Sequence, residues 1–192
     1  MRLARLLCWT LVLASCGRPE PDLRPSVLLV TVDTLRADRV GCYGCERALT
    51  PHLDALAAEG VRFARAYTHA PFTAPAHASL LTSLLTPSHG VYGWAEKLDA
   101  RAVTLAERFA AVGYRTAAFY NNPGLQNSGM TRGFETERRF YFETADVTVD
   151  AFLDWLDDPH GKGGGGPAFC AWVHLWDVHR PYAWRDWRPE WL

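Results

Sequence analysis

The sequence predicts an α/β fold, a mainly parallel sheet with helices on both faces. Three observations carry that reading. Two continuous apolar runs, residues 27–32 and 168–175, have the pattern of strands buried on both sides. Segments with helix start and stop signals alternate with the strands, the βαβ rhythm of a parallel sheet. The first and last runs deliver Asp33 and the pair Asp177 and His179 just past their carboxyl ends, where open α/β sheets build their sites.

In chain order, residues 27–32 form the first strand. Thr50-Pro51 opens a helix, with a capping residue and then proline at the first helical position; it runs over 52–59, and Gly60 stops it. Residues 61–67 read as a strand leading into the Thr73 segment. The next helix spans 74–85 and is ended by Pro87, with Thr73 at its start as a candidate cap. Thr104 and Glu107 have capping-box spacing, so a helix follows over 105–112 and stops at Gly113. Strand 114–120 leads into a loop, 121–133, rich in Asn and Gly. An amphipathic helix over 146–156 precedes the linker 161–167 and the last strand. The linker contains GKGGGG, but no Ser or Thr follows its Gly-Lys pair and no helix opens after it, which argues against a phosphate-binding loop.

With 192 residues and 48% apolar residues, the chain can bury a core of its own. A formal net charge of −1 gives no basic face for nucleic acid. Five of the eight Trp follow residue 170: Trp172, Trp176, Trp184, Trp187 and Trp191 either line a groove or pack inward. Cys42 and Cys45 have redox or metal spacing, yet no second pair completes a tetrahedral site, so they read as structural or incidental.

The stretch 70–91, APFTAPAHASLLTSLLTPSHGV, holds the main chemical motif. Thr73 is a candidate nucleophile at a helix start, where unpaired N–H groups and the helix dipole favour an anion. The stretch resembles the active-site segment of the sulfatases of the alkaline phosphatase superfamily, Cys/Ser-x-Pro-Ser-Arg-x-x-Leu-Leu-Thr-Gly followed by Pro-x-x-His-Gly. Thr73, Pro75, His77, Leu80, Leu81, Thr82, Pro87, His89 and Gly90 fall in register. The chain is most similar to a branch with Thr at the nucleophile position, in which Thr-x-Pro-Ser-His replaces the usual start.

The resemblance implies an alkaline-phosphatase/sulfatase-like fold and a set of roles. Asp33 corresponds to the first member of a metal-binding acidic pair, with Thr34 in place of the second, while Asp38 reads as a surface carboxylate. Asp33 and Thr73 are the implied metal ligands. The cofactor is a divalent cation, Ca²⁺ by first preference, with Mg²⁺, Mn²⁺ or Zn²⁺ as alternatives. Thr73 cannot become formylglycine, because its β-carbon bears a methyl group; a metal-activated alkoxide is the remaining nucleophile. His77, in place of the motif's arginine, sits one helical turn on and is expected to contact the anion or the nucleophile. His89 is expected to be structural. Trp176-Asp177-Val178-His179-Arg180-Pro181-Tyr182 resembles the family's His-x-Pro-Tyr segment, which makes His179 the group that contacts the anion or protonates the leaving group. Asn121 and Asn122 lie where sulfatases often carry a Lys and a His, and no role rests on them. Trp94 lies where the branch often has Asn.

The implied activity is metal-dependent hydrolysis of sulfate or phosphate esters, with an anionic ester as partner. Two alternatives remain open: a phosphodiesterase or headgroup phosphotransferase using Thr73, and a degenerate, non-catalytic lipoprotein that binds an anionic ligand. The resemblance covers 26–182, and the family domain continues past this point to further metal ligands. The expectation is therefore an apparently truncated domain, inactive without the rest.

Residues 1–16 read as an address. Arg2 and Arg5 precede an apolar run too short to span a bilayer, and Leu13-Ala14-Ser15-Cys16 resembles the lipobox of bacterial lipoproteins. Cys16 is then the lipidation site, residues 17–25 a tether, and 26–192 the N-terminal portion of the sulfatase-like domain. The implied location is membrane-anchored, on the periplasmic side or the cell surface.

Overall fold

The computed structural model describes residues 24–126, 128–141, 143–158 and 168–180. Four strands form one sheet: β1 (Val27–Val32), β2 (Arg115–Tyr120), β3 (Thr136–Arg139) and β4 (Phe169–Leu175). Their spatial order is β1-β4-β2-β3, and every pairing is parallel. The helices are α1 (Pro51–Glu59), α2 (Thr73–Thr82), α3 (Thr86–His89), α4 (Leu105–Ala111) and α5 (Ala145–Asp157). None of the helices among the described residues is long and apolar enough to cross a membrane.

Strand alternation builds two cores from one sheet. Ala118, Tyr120 and Trp172 point to one face and pack with Ala74, Ala78 and Leu81 of α2. Ala117, Phe119, Ala171 and Val173 point to the other and pack with Ala151, Phe152 and Trp155 of α5. The inner strands β2 and β4 are thus apolar on both sides, which is why they read as continuous runs. The edge strand β1 is not covered in the same way. Leu28 and Val30, aligned with Ala171 and Val173, are 47% and 50% exposed.

Several expectations are corrected. Residues 61–67 form no strand: they find no sheet neighbour, and Val61, Phe63 and Tyr67 lie exposed. The helix expected over 74–85 ends at Thr82, and a separate short helix, α3, follows it. α2 ends where Ser83 turns into the left-handed region, φ 59°, and Pro87 sits in the first turn of α3, where its missing N–H costs nothing. β3 was not expected, because TERR on a sheet edge carries no apolar run. Trp172 is core rather than groove: it is 1% exposed and stacks on Tyr120 and Phe134. The capping box of α4 forms as expected, with Thr104 Oγ1 accepting from Glu107 N–H and the Glu107 carboxylate accepting from Thr104 N–H. Trp184, Trp187, Trp191, the linker 161–167 and the address segment with Cys16 lie outside the described residues.

Candidate functional site

The register Val32↔Leu175 and Tyr120↔His174 brings the carboxyl ends of β1, β4 and β2 level. The segments that leave these three strands therefore meet at one edge. Asp33 extends the ladder by one step, its N–H donating to Leu175 O at 2.8 Å. Thr34 then turns the chain with φ 55°, a conformation a β-branched residue rarely adopts. The Thr34 hydroxyl donates to Val178 O at 2.9 Å and ties this turn to the exit from β4.

Asp33 is the centre of the polar cluster at this edge. The Thr73 hydroxyl donates to Asp33 Oδ2 at 2.9 Å. Thr73 is thus the first residue of α2 and not its cap: the capping position belongs to Phe72, which has no side-chain hydrogen bond there. The Asn122 amide, just past β2, donates to the same oxygen at 2.9 Å, and is oriented by the Gly124 N–H donating to its Oδ1 at 2.8 Å. Behind them the fully buried His174 places Nε2 3.7 Å from Oδ2. Burial pushes the Asp33 carboxyl up. The neighbouring His174 and the hydrogen bond from Thr73, with the charges His174 and His179 carry when protonated, outweigh it, and the carboxyl ends below its ordinary value.

His77 is brought to the site as support. Its Nδ1 donates to the Thr73 carbonyl at 2.8 Å, and its Nε2 lies 3.2 Å from Thr31 Oγ1. Both ring nitrogens face protein, so His77 meets Thr73 through its backbone and has no nitrogen left for an anion. Burial, reinforced by the neighbouring His174, lowers its pKa to about 4, against smaller raising effects from the Thr73 carbonyl and Asp33. Thr31 also accepts from Trp172 Nε1 at 3.0 Å and contacts His174 Nδ1 at 2.8 Å. One hydroxyl thereby joins three rings.

His179 stands in the exposed turn after β4, stacked on Trp176 with ring centroids 4.7 Å apart, its Nδ1 donating to Arg180 O at 2.5 Å. It follows the carboxyl end of β4, on the same edge of the sheet as Asp33. Asp177 serves the structure: its Oδ1 accepts the Ala145 N–H that opens α5, and its Oδ2 accepts from Asn121. His89 is also structural, fully buried between Ser79 Oγ and the Val91 N–H. Asp38 pairs with Arg36 at the surface, and Cys42 and Cys45 are free thiols. A cleft of about 860 Å³ opens beside α2, lined by Thr31, His77 and Ser79 among others; neither Asp33 nor Thr73 lines it.

For a divalent cation, the donors at this edge are the Asp33 carboxylate, the Thr73 hydroxyl and the His174 nitrogen. They fit such an ion in kind. In number they fall short of the six to eight oxygens Ca²⁺ prefers, and the described residues contain no group of three His, Cys, Asp or Glu able to hold a metal. Sequence reading found Asp33 and Thr73, and it assigned no role to Asn122 or His174. Their only advance signal was position at or just past the end of a buried strand.

A family model described as Sulfatase matches residues 25–187. An arylsulfatase of Clostridium perfringens is 37% identical over 151 residues, which are 72% of this chain and 31% of that protein. Among solved structures, the phosphonate monoester hydrolase of Agrobacterium radiobacter superposes with a TM-score of 0.70 at 23% identity, over 83% of this chain and 42% of the other. A protein solved in complex with its substrate D-glucosamine-2-N,6-O-disulfate gives a TM-score of 0.71 at 21% identity, over 82% and 35%. At these identities the structural likeness is one of fold. The chain spans less than a third of the length of the arylsulfatase it matches.

Proposed function

The chain belongs to the sulfatase family, and from that premise we propose that it carries the nucleophile half of a metal-dependent hydrolase of sulfate or phosphate esters. The observation that carries this reading is the hydrogen bond from the Thr73 hydroxyl to Asp33, two residues forty positions apart that the fold brings to 2.9 Å. Asp33 holds the hydroxyl proton and turns the oxygen's lone pairs to the ester. The first turn of α2 adds the positive end of a helix dipole where the ester's anionic oxygens would lie. Asn122 keeps the Asp33 carboxylate in place. His77 stays neutral and pins the Thr73 carbonyl.

In the proposed reaction Thr73 Oγ1 bonds to the central atom of the ester as its proton passes to Asp33. The leaving oxygen departs with a proton from His179; water then attacks the same atom, giving a proton to His179, as the bond to Thr73 Oγ1 breaks and that oxygen takes its proton back from Asp33. Asp33, Thr73 and His174 would hold a divalent cation, which when bound supplies positive charge for the ester and lowers the hydroxyl pKa. Phosphate esters suit this nucleophile better than sulfate esters, since threonine cannot provide the formylglycine hydrate of typical sulfatases.

The test is turnover of an aryl phosphodiester and an aryl sulfate by the full-length protein. Thr73→Ala is expected to reduce turnover by about 10³-fold or more, Thr73→Ser to keep part of it, and quenched wild type to carry phosphothreonine at this position. Unchanged turnover in Thr73→Ala would remove Thr73 from the chemistry. Lipid attachment at Cys16 is part of the same proposal. Cys16→Ser is expected to move the protein from the membrane fraction to the soluble one, and continued membrane retention would count against the anchor.

A further inference from the structure

The loop 91–99 places an aromatic ring against the backbone beside Asn122. It is fastened at both ends: the Val91 N–H donates to His89 Nδ1 at 3.1 Å, and the Leu98 N–H donates to Ser128 O at 2.8 Å. Between them the Gly93 N–H donates to the Glu96 carboxylate at 2.9 Å and closes a turn around Trp94.

The indole of Trp94 lies directly on Gly124. A Cβ built on that glycine would stand 1.9 Å from Trp94 Cζ3 and 2.3 Å from Cε3, so no side chain fits beneath the ring. The backbone itself does not ask for glycine, because Gly124 sits in a short 3₁₀ turn, Pro123–Leu125, without a positive φ. It is the close approach of the ring that excludes a larger residue. The same Cβ would lie 3.1 Å from Asn122 Oδ1, so the indole edge and the Asn122 amide flank one point of the backbone. That amide donates to Asp33 Oδ2 at 2.9 Å, and the Thr73 hydroxyl donates to the same oxygen. One amide and one carboxylate thus separate the ring from the hydroxyl.

Packing alone does not account for Trp94. Trp155 and Trp172 belong to the two cores and are buried in them. Trp94, with its ring seated on Gly124, is still 52% exposed. Phe72, also exposed, immediately precedes Thr73 and adds a second apolar ring beside the hydroxyl in the chain. An indole fixed on one side and open on the other is a platform. An aromatic ring or the C–H face of a sugar can stack on it, whereas a straight chain covers less of it.

We propose that Trp94 is a specificity-determining residue for this site: its open face receives a ring, aryl or pyranose, in the alcohol portion of the ester. The inference rests on the reading of Thr73 as the nucleophile and deepens it by naming the class of ester.

Calorimetric titration of the full-length Thr73→Ala protein with phenyl phosphate, a pyranose 6-phosphate and butyl phosphate tests it, since the three share one anion. At least one ring ester is expected to bind about tenfold more tightly than butyl phosphate. Adding Trp94→Ala should remove that preference and change the affinity for butyl phosphate by less than about twofold. A preference confined to phenyl phosphate identifies an aryl ester, and one confined to the sugar phosphate a pyranose ester. Equal weakening of all three by Trp94→Ala would mean that Trp94 only steadies the Asn122 segment, and would overturn the inference. Absence of a ring preference before Trp94 is changed, or survival of the preference after it, would overturn it as well. None of these results touches the functional reading, which fails on a different one, unchanged turnover in Thr73→Ala. Trp94→Phe keeps a flat face and should retain most of the preference. Should Trp94→Ala fail to fold, Trp94→Leu, apolar but without a flat face, takes its place: loss of the preference supports the inference and its retention overturns it.

Discussion

At the level of single residues, the site is a set of polar groups that hold one another's protons in place. His77 shows the cost of such an arrangement. Its pKa in the fold, about 4, lies below the ordinary 6.5, so between these values the unfolded chain binds the proton more readily than the folded one. The stability gained by keeping His77 neutral is full above pH 6.5, declines as the pH falls, and is lost entirely below about 4. Urea denaturation across that window should show the decline, and His77→Gln should flatten it; an unchanged slope in the variant would assign the loss to other groups. Asp33 and Thr73 were legible in the sequence because a strand end and a helix start are marked by local pattern. His174 was not. A histidine inside an apolar strand looks like core until its neighbours across the sheet are known, and its role depends on Thr31, 143 positions away.

At the level of elements, the start and stop signals of α1 and α4 predicted the helices well, because capping chemistry is local. The segment 61–67 shows the limit of local composition as a signal: it reads as a strand but has no neighbour to pair with among the described residues, and a strand exists only in its sheet. β3 shows the converse, a polar stretch made into a strand by β2 beside it. α2 carries a removable defect. Ser83 holds φ 59° at its C-cap, at the point where the sulfatase pattern has glycine. Ser83→Gly is expected to raise stability by about 1 kcal/mol without changing Asp33 or Thr73, measurable as a shift in Tm. No gain would show that Ser83 is held there by compensating contacts.

At the level of the whole molecule, the parallel sheet and its two-sided cover followed from alternating apolar runs, but the strand order did not. Nothing local to β1 says that it lies beside β4 and not β2. The uncovered side of β1 has a measurable consequence, since Leu28 and Val30 expose apolar surface on an edge strand. Leu28→Thr together with Val30→Thr is expected to reduce aggregation of the chain in light-scattering assays and to shift its unfolding midpoint little. A large loss of stability would show that these side chains are covered in solution.

Strand order also sets a timetable. β1 leaves the ribosome first, yet its only partner among the described strands is synthesised more than a hundred residues later. Until β4 emerges, the first strand has nothing to zip against, and the carboxylate at its end has neither its backbone anchor nor its imidazole neighbour. The chemistry of this chain therefore cannot be assembled piece by piece from the amino terminus. It becomes possible in one late step, and a nascent chain halted before that step would carry every sequence motif of the Thr73 segment and none of its geometry.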